Sequence, residues 1–213
     1  MNARVALAIA VLTGGMGGAG VGCSDIVTPS RTPRYFADNA GDTFHWPPDR
    51  IPVRYFVDPR GALPRLARNG LSAWQDQFLY GEFRAVVVAD STAADVIVHW
   101  QDSVPPDVPP DTAGALGACD GVTTYILDST KTMTGPEHVS LRVRLGYTSP
   151  QIAECFRRVV AHELGHSLGI LAHSPATTDL MYGTPAVETP TDRDRNTAQV
   201  LYHTPPTIFP PPR

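Results

Sequence analysis

The chain contains a single lysine, Lys131, and its arginines are scattered, with no cluster beyond Arg157-Arg158. A nucleic-acid partner leaves a basic stripe or patch, so that class is set aside. No internal repeat is visible, which excludes solenoids and propellers. No apolar run is long enough to cross a membrane as a mature helix; the N-terminal one, Val5 to Thr13, falls well short. Charge is scarce too: 18% of the 213 residues are charged, and the net charge is −4. The 42% hydrophobic content is that of a globular protein, and the length suits one domain of ordinary size with short tails.

The N-terminus reads as a targeting segment. Arg4 supplies positive charge, the apolar run follows, and Gly14 to Gly22 is small and glycine-rich before Cys23. Val21-Gly22-Cys23 resembles the end of a bacterial lipobox, although Gly20 stands where Leu, Val or Ile is usual. Cys23 is therefore a candidate for lipidation, with plain secretion as the alternative, and the expected location is extracytoplasmic. With Cys23 set apart, Cys119 and Cys155 remain as a pair: a disulfide outside the cytoplasm, or two buried thiols.

The most informative stretch is His162-Glu163-Leu164-Gly165-His166-Ser167-Leu168-Gly169-Ile170-Leu171-Ala172-His173. On a helix, residues four apart stand on one face one turn apart, so His162 and His166 can grip a single metal ion. Glu163 sits about 100° round the helix, placed to take a proton from a metal-bound water rather than to share the chelate. Gly169 falls where a helix would end, and glycine allows the left-handed turn that reverses the chain. His173 follows that turn, and Asp179-Leu180-Met181-Tyr182 comes soon after. This is the layout of a zinc site that hydrolyses peptide bonds.

The segment resembles the metzincin metallopeptidases, most closely the matrixin branch, whose pattern is His-Glu-x-x-His-x-x-Gly-x-x-His followed by a methionine turn. The resemblance implies His162, His166 and His173 as zinc ligands, Glu163 as general base and Met181 as the hydrophobic floor under the metal. Ser174, directly after the third histidine, is also matrixin-like. One departure stands out: three residues, Ile170, Leu171 and Ala172, separate Gly169 from His173 where the family has two. The loop must bulge by one residue, or the helix must end differently. Asp179 and Glu188 are rival third ligands, since carboxylates also bind zinc. Asp179 is close enough to Met181 for a turn role, and Glu188 lies in a Pro/Thr-rich loop with no helix to aim it. Tyr182 reads as packing.

Around this motif the chain is organised as residues 1–22 leader, 23–42 polar tether, 43–204 catalytic domain and 205–213 Pro-rich tail. Strands are expected at 51–58, 83–89, 95–100, 114–119, 123–128 and 139–145, from β-branched or alternating patterns. Leu63, Leu66, Ala67, Leu71, Trp74 and Phe78 form the stripe of an amphipathic helix. Ser149-Pro150 starts a second helix running to about Leu168, and Thr191 with Asp194 resembles a capping box for a third. The order is similar to the matrixin catalytic domain: an α+β, metzincin-like (zincin) fold, with a mixed, mostly parallel twisted sheet of about five strands and three helices. The zinc site would sit at the end of the second long helix. Matrixins also often hold structural zinc and calcium in the loop corresponding to 102–112. That loop has Asp102, Asp107 and Asp111 but no histidine, so calcium stays open and a second zinc is not expected. His45, His99, His138 and His203 read as surface or core histidines.

The implied function is an exported zinc endopeptidase acting on peptide or protein substrates, a monomer touching a membrane only through a lipid on Cys23. By resemblance and chain order, substrate would lie along Gly114–Cys119, with Gly183–Glu188 shaping the specificity pocket. No cysteine-switch propeptide is visible. A catalytically silent zinc module at the cell surface and a hydrolase of non-peptide amides are the alternatives.

Overall fold

The computed structural model describes residues 31–32, 34–101 and 117–212. Within it the chain runs β1 (Val53–Val57), α1 (Leu63–Gln75), β2 (Ala85–Val88), β3 (Val96–Trp100), β4 (Cys119–Thr124), β5 (Glu137–Val143), α2 (Ser149–Ser167) and α3 (Asp192–Leu201). The five strands form one sheet in the order β2-β1-β3-β5-β4. Neighbours are parallel except β4, which pairs antiparallel with β5 and closes one edge.

The alternation of the strands decides which face is covered. Val53, Tyr55 and Val57 of β1, Val96 and Val98 of β3, and Val139, Leu141 and Val143 of β5 are all buried. Against them α1 lays the stripe Leu63, Leu66, Ala67, Leu71 and Trp74, and α2 contributes Phe156, Val159, Val160 and Leu164. Trp74 donates its indole N–H to the Ala161 carbonyl at 2.8 Å, which ties α1 to α2 just before His162.

Several boundaries differ from the sequence expectation. Among the described residues a single strand, β4, runs from the end of the 114–119 candidate to the start of the 123–128 one and bridges the gap between them. Asp120 and Gly121 disfavour strand by propensity. Here Asp120 is fully buried but accepts Arg142 Nε at 2.7 Å and Arg144 Nη2 at 3.0 Å, and a paired charge is tolerated where a lone one is not. Residues 114–116, part of the other candidate, lie outside the described residues. Thr148 rather than Ser149 precedes the first turn of α2, its backbone N–H bonded to the Gln151 side-chain oxygen at 2.9 Å.

The tether and the tail are also more than connectors. Tyr35 is buried, and the chain from there to residue 46 packs on the domain. At the other end Ile208 is buried, and the Phe209 carbonyl accepts the Met133 N–H at 2.8 Å. Both segments cover apolar surface that local polarity and proline content conceal. Cys119 and Cys155 form a disulfide joining the start of β4 to α2.

One buried group is out of place. Glu137 opens β5 on the helix-facing side with no exposure, and neither carboxyl oxygen has a hydrogen-bond partner among the described residues. Burial pushes its carboxyl well above the usual range.

Candidate metal centre

The end of α2 carries His162, Glu163 and His166, and the loop after it returns His173 to the same spot. The Nε2 atoms of His162 and His166 lie 3.1 Å apart, and those of His166 and His173 3.3 Å apart. One ligand atom from each of the three lies within 4.8 Å of the others. Two nitrogens on one tetrahedral zinc, at about 2.0–2.1 Å each, would stand about 3.3 Å apart, so the donor set fits that ion.

The outer nitrogens fix the tautomers. His162 Nδ1 faces the Leu180 carbonyl at 2.8 Å, and His166 Nδ1 faces the Ile170 carbonyl at 2.6 Å. A carbonyl only accepts, so each Nδ1 must carry the proton and each Nε2 presents its lone pair inward. Burial pushes His162 down to about 4 and holds His166 well below its ordinary value. Desolvation lowers His173 as well. Neutral imidazoles are the form a metal needs.

Glycine at 169 ends the helix with φ +123°, a conformation that a residue with a Cβ rarely adopts. A Cβ there would also stand 2.1 Å from the Phe44 carbonyl oxygen. Below the triad, Met181 is fully buried. Its turn is held by Asp194, which accepts Leu180 N–H at 2.9 Å and Met181 N–H at 3.3 Å. The same carboxylate caps α3 through Thr191 N–H at 2.8 Å. The capping box is legible in the sequence; its second duty to the methionine turn is not.

The rival ligands are engaged elsewhere. Asp179 is buried and accepts from Ser174 Oγ, from Arg193 Nε at 2.8 Å and from Thr191 Oγ1 at 3.1 Å. It braces the turn next to the methionine. Glu188 is paired with Arg157 Nε at 2.8 Å on the surface. Tyr182 is partly buried, its N–H bonded to the Asp179 carbonyl. His99 and His138 face each other on β3 and β5, with Nε2 and Nδ1 3.0 Å apart and ring planes 6° apart. The ring centroids are 5.3 Å apart, so the nitrogens meet head-on and share a proton rather than converge on an ion.

Glu163 sits beside the triad and is buried. Thr123 Oγ1 donates to its Oε2 at 2.8 Å. The side chain lies over Gly121, where an added Cβ would be 2.6 Å from Glu163 Cγ. Burial raises the Glu163 carboxyl to about 7, with the Thr123 hydrogen bond acting in the opposite direction. Sequence reasoning missed Thr123 and Gly121, because nothing local marks a strand residue as the neighbour of a helix carboxylate.

A cleft of about 360 Å³ opens over these groups, walled by β4 from Gly121, by Tyr125, and by Asn39, Leu171 and His173. Among the described residues the strand beside the cleft is β4, and residues 114–116 of the Gly114–Cys119 expectation lie outside them. The ladder partner of β4 among the described strands is β5. Cys23 and the 102–112 loop with Asp102, Asp107 and Asp111 lie outside the described residues.

The matrixin (peptidase M10) family model matches residues 59–203, about two thirds of the chain. The chain belongs to the matrixin family. Matrixins are zinc-dependent metallopeptidases, and the triad at 162, 166 and 173 is a donor set that suits their metal. The mostly parallel five-stranded sheet with three helices is the fold of a matrixin domain. Among curated proteins, no sequence matches the chain.

Proposed function

We propose that this matrixin domain is an exported zinc endopeptidase in which His162, His166 and His173 hold the metal and Glu163 is the general base. The observation that carries the reading is the convergence of three imidazoles, two of them with tautomers set by backbone carbonyls, with a buried carboxyl alongside. When bound, zinc polarises the scissile carbonyl and acidifies a coordinated water. Glu163 supplies the proton path. Thr123 occupies Oε2, leaving Oε1 to take a proton from the attacking water and return it to the leaving amine. A carboxyl drawn toward neutrality suits both transfers at neutral pH.

The side of β4 that faces the cleft is proposed to pair with an extended substrate backbone, the mode known as β-augmentation. The 183–188 loop, fixed by Glu188 to Arg157, is proposed to shape the pocket for the substrate side chain. Export is supported by the leader-like N-terminus and by the Cys119–Cys155 disulfide, a bond that persists in oxidising compartments. Cys23 is the proposed lipid attachment point, and the chain is proposed to act as a monomer.

Cleavage of a diverse peptide library by the exported chain tests this directly, run beside a chelator-treated sample and Glu163→Gln. Loss of cleavage in both controls, with zinc retained in Glu163→Gln, is expected, the base contributing about 10²–10⁴-fold. Stoichiometric zinc with no cleavage by the parent chain would favour a silent binding module. Full turnover in Glu163→Gln would remove the base assignment.

A further inference from the structure

The segment from Tyr35 to Trp46 lies outside the 59–203 span of the family match, yet it crosses the end of α2 beside the triad. Trp46 Nε1 donates to the Ser167 carbonyl at 2.9 Å. The Phe44 carbonyl sits against Gly169, where no side chain fits. The Ala37 carbonyl accepts two N–H groups, Leu171 at 2.8 Å and Ala172 at 3.2 Å. Leu171 and Ala172 belong to the loop that is one residue longer than the family pattern. Between these contacts Asn39 makes a tight turn with Asp42 and lines the cleft.

His173 needs such support. His162 and His166 are oriented by carbonyls at their outer nitrogens, whereas no bond at His173 Nδ1 is found among the described residues. Its aim must come from the backbone on either side. Ser174 N–H is pinned to the Met181 carbonyl at 2.8 Å, and Ala172 N–H to Ala37. An added residue multiplies the conformations of a short loop, and satisfying its N–H groups selects among them.

We infer that residues 35–46 form a strap that is a working part of the metal centre: through Ala37 it holds the lengthened loop and so positions His173. This rests on the zinc reading of the triad. The strap is anchored upstream by Tyr35, whose N–H donates to Thr197 Oγ1 at 3.1 Å and whose hydroxyl donates to Asp194 Oδ1 at 2.7 Å. These two anchors can be cut separately. Thr197→Val keeps the side-chain shape and releases the strap backbone without touching Asp194. Tyr35→Phe keeps the backbone bond and removes the hydroxyl that reaches Asp194.

The experiment is amide hydrogen exchange at Leu171 and Ala172 in the zinc-loaded full chain, together with the rate of zinc loss to a chromophoric chelator. In the parent both amides are protected. In Thr197→Val both exchange and zinc loss accelerate roughly tenfold, the scale of one to two ordinary hydrogen bonds. In Tyr35→Phe the exchange at Leu171 and Ala172 stays within about twofold of the parent. If Thr197→Val does not fold, Tyr35→Ala compared with Tyr35→Phe removes the strap's buried ring anchor instead, and must accelerate both rates relative to Tyr35→Phe. Unprotected amides in the parent, or unchanged rates in Thr197→Val, overturn the inference. An effect confined to Tyr35→Phe also overturns it and moves the cause to Asp194 and the methionine turn. Exchange does not require turnover, so a chain that cleaves nothing but shows this pattern would sink the peptidase reading and leave the strap standing.

Discussion

Replacing Glu137 should stabilise this protein, by an amount that depends on pH. The carboxyl is fully buried on the helix-facing side of β5, and both its oxygens lack partners among the described residues. Even protonated, an unpaired buried polar group costs roughly 1–3 kcal/mol. The linkage adds to this. Below the ordinary value of 4.5, the folded and unfolded carboxyls are both protonated and pH has no leverage. Above it, the unfolded carboxyl ionises while the buried one does not. The unfolded state then gains about 1.4 kcal/mol per pH unit until pH passes the raised folded value. Stability from this group is therefore fully present below 4.5 and is lost as pH rises. Glu137→Met removes both costs with a side chain of similar length. Glu137→Gln retains a polar group and removes only the slope. Urea denaturation of the zinc-loaded chain from pH 5.5 to 8 measures this, as the difference between variant and parent. That difference cancels the contributions of every other titrating group to first order. The Met variant should be the more stable throughout, with a margin widening as pH rises. Parallel curves, or a Met variant less stable than the parent at every pH, would show that Glu137 is paired or ionised in the fold.

Three further outcomes follow from the packing around the site. Thr123→Val should lower kcat about tenfold or more with little change in KM or bound zinc, because it frees the Glu163 carboxylate rather than the substrate; Thr123→Ser should restore most of it, and equal kcat in all three would refute the positioning role. Gly165→Ala sets helix propensity, worth about 1 kcal/mol in its favour, against a Cβ placed 2.3 Å from Met181 Sδ and 2.6 Å from Trp74 Cζ2. Both neighbours are fully buried, so overpacking at about 1–3 kcal/mol should cancel or exceed the gain, and a urea midpoint clearly above that of the parent would refute it. Replacing Cys119 and Cys155 by serine opens a link spanning 36 residues, for which chain entropy gives roughly 4 kcal/mol. The loss should appear in thermal melts, and an unchanged melting temperature would mean that α2 and β5 alone keep β4 in place.

The chemistry-bearing residues were legible because they act over one or two helical turns. His162, Glu163 and His166 are a period-3.6 pattern, Gly169 is a helix stop, and Thr191 with Asp194 is a cap; each follows from covalent geometry and local hydrogen bonding. Propensity rates Asp120 and Gly121 as breakers, so the sequence does not place β4 where the fold has it. The Arg142 and Arg144 pairs that keep Asp120 in the sheet come from the neighbouring strand and the residue just after it. Tyr35 reads as tether and Ile208 as tail in the sequence because polar and Pro-rich surroundings hide a single anchoring side chain.

The sequence by itself determined the histidine pattern, the carboxylate beside it, the family and the order of helices around the site. Tertiary structure alone decided which of His173, Asp179 and Glu188 comes within reach of His162 and His166, since that choice depends on where a loop is pinned. Ala37 and Met181 hold the backbone on either side of His173, Arg193 and Thr191 engage Asp179, and Arg157 engages Glu188. Each is a contact between segments far apart in the chain, whose value appears only once the sheet and helices have brought them together. A local pattern carries no record of such a partner, because the free energy that selects it belongs to the packed state.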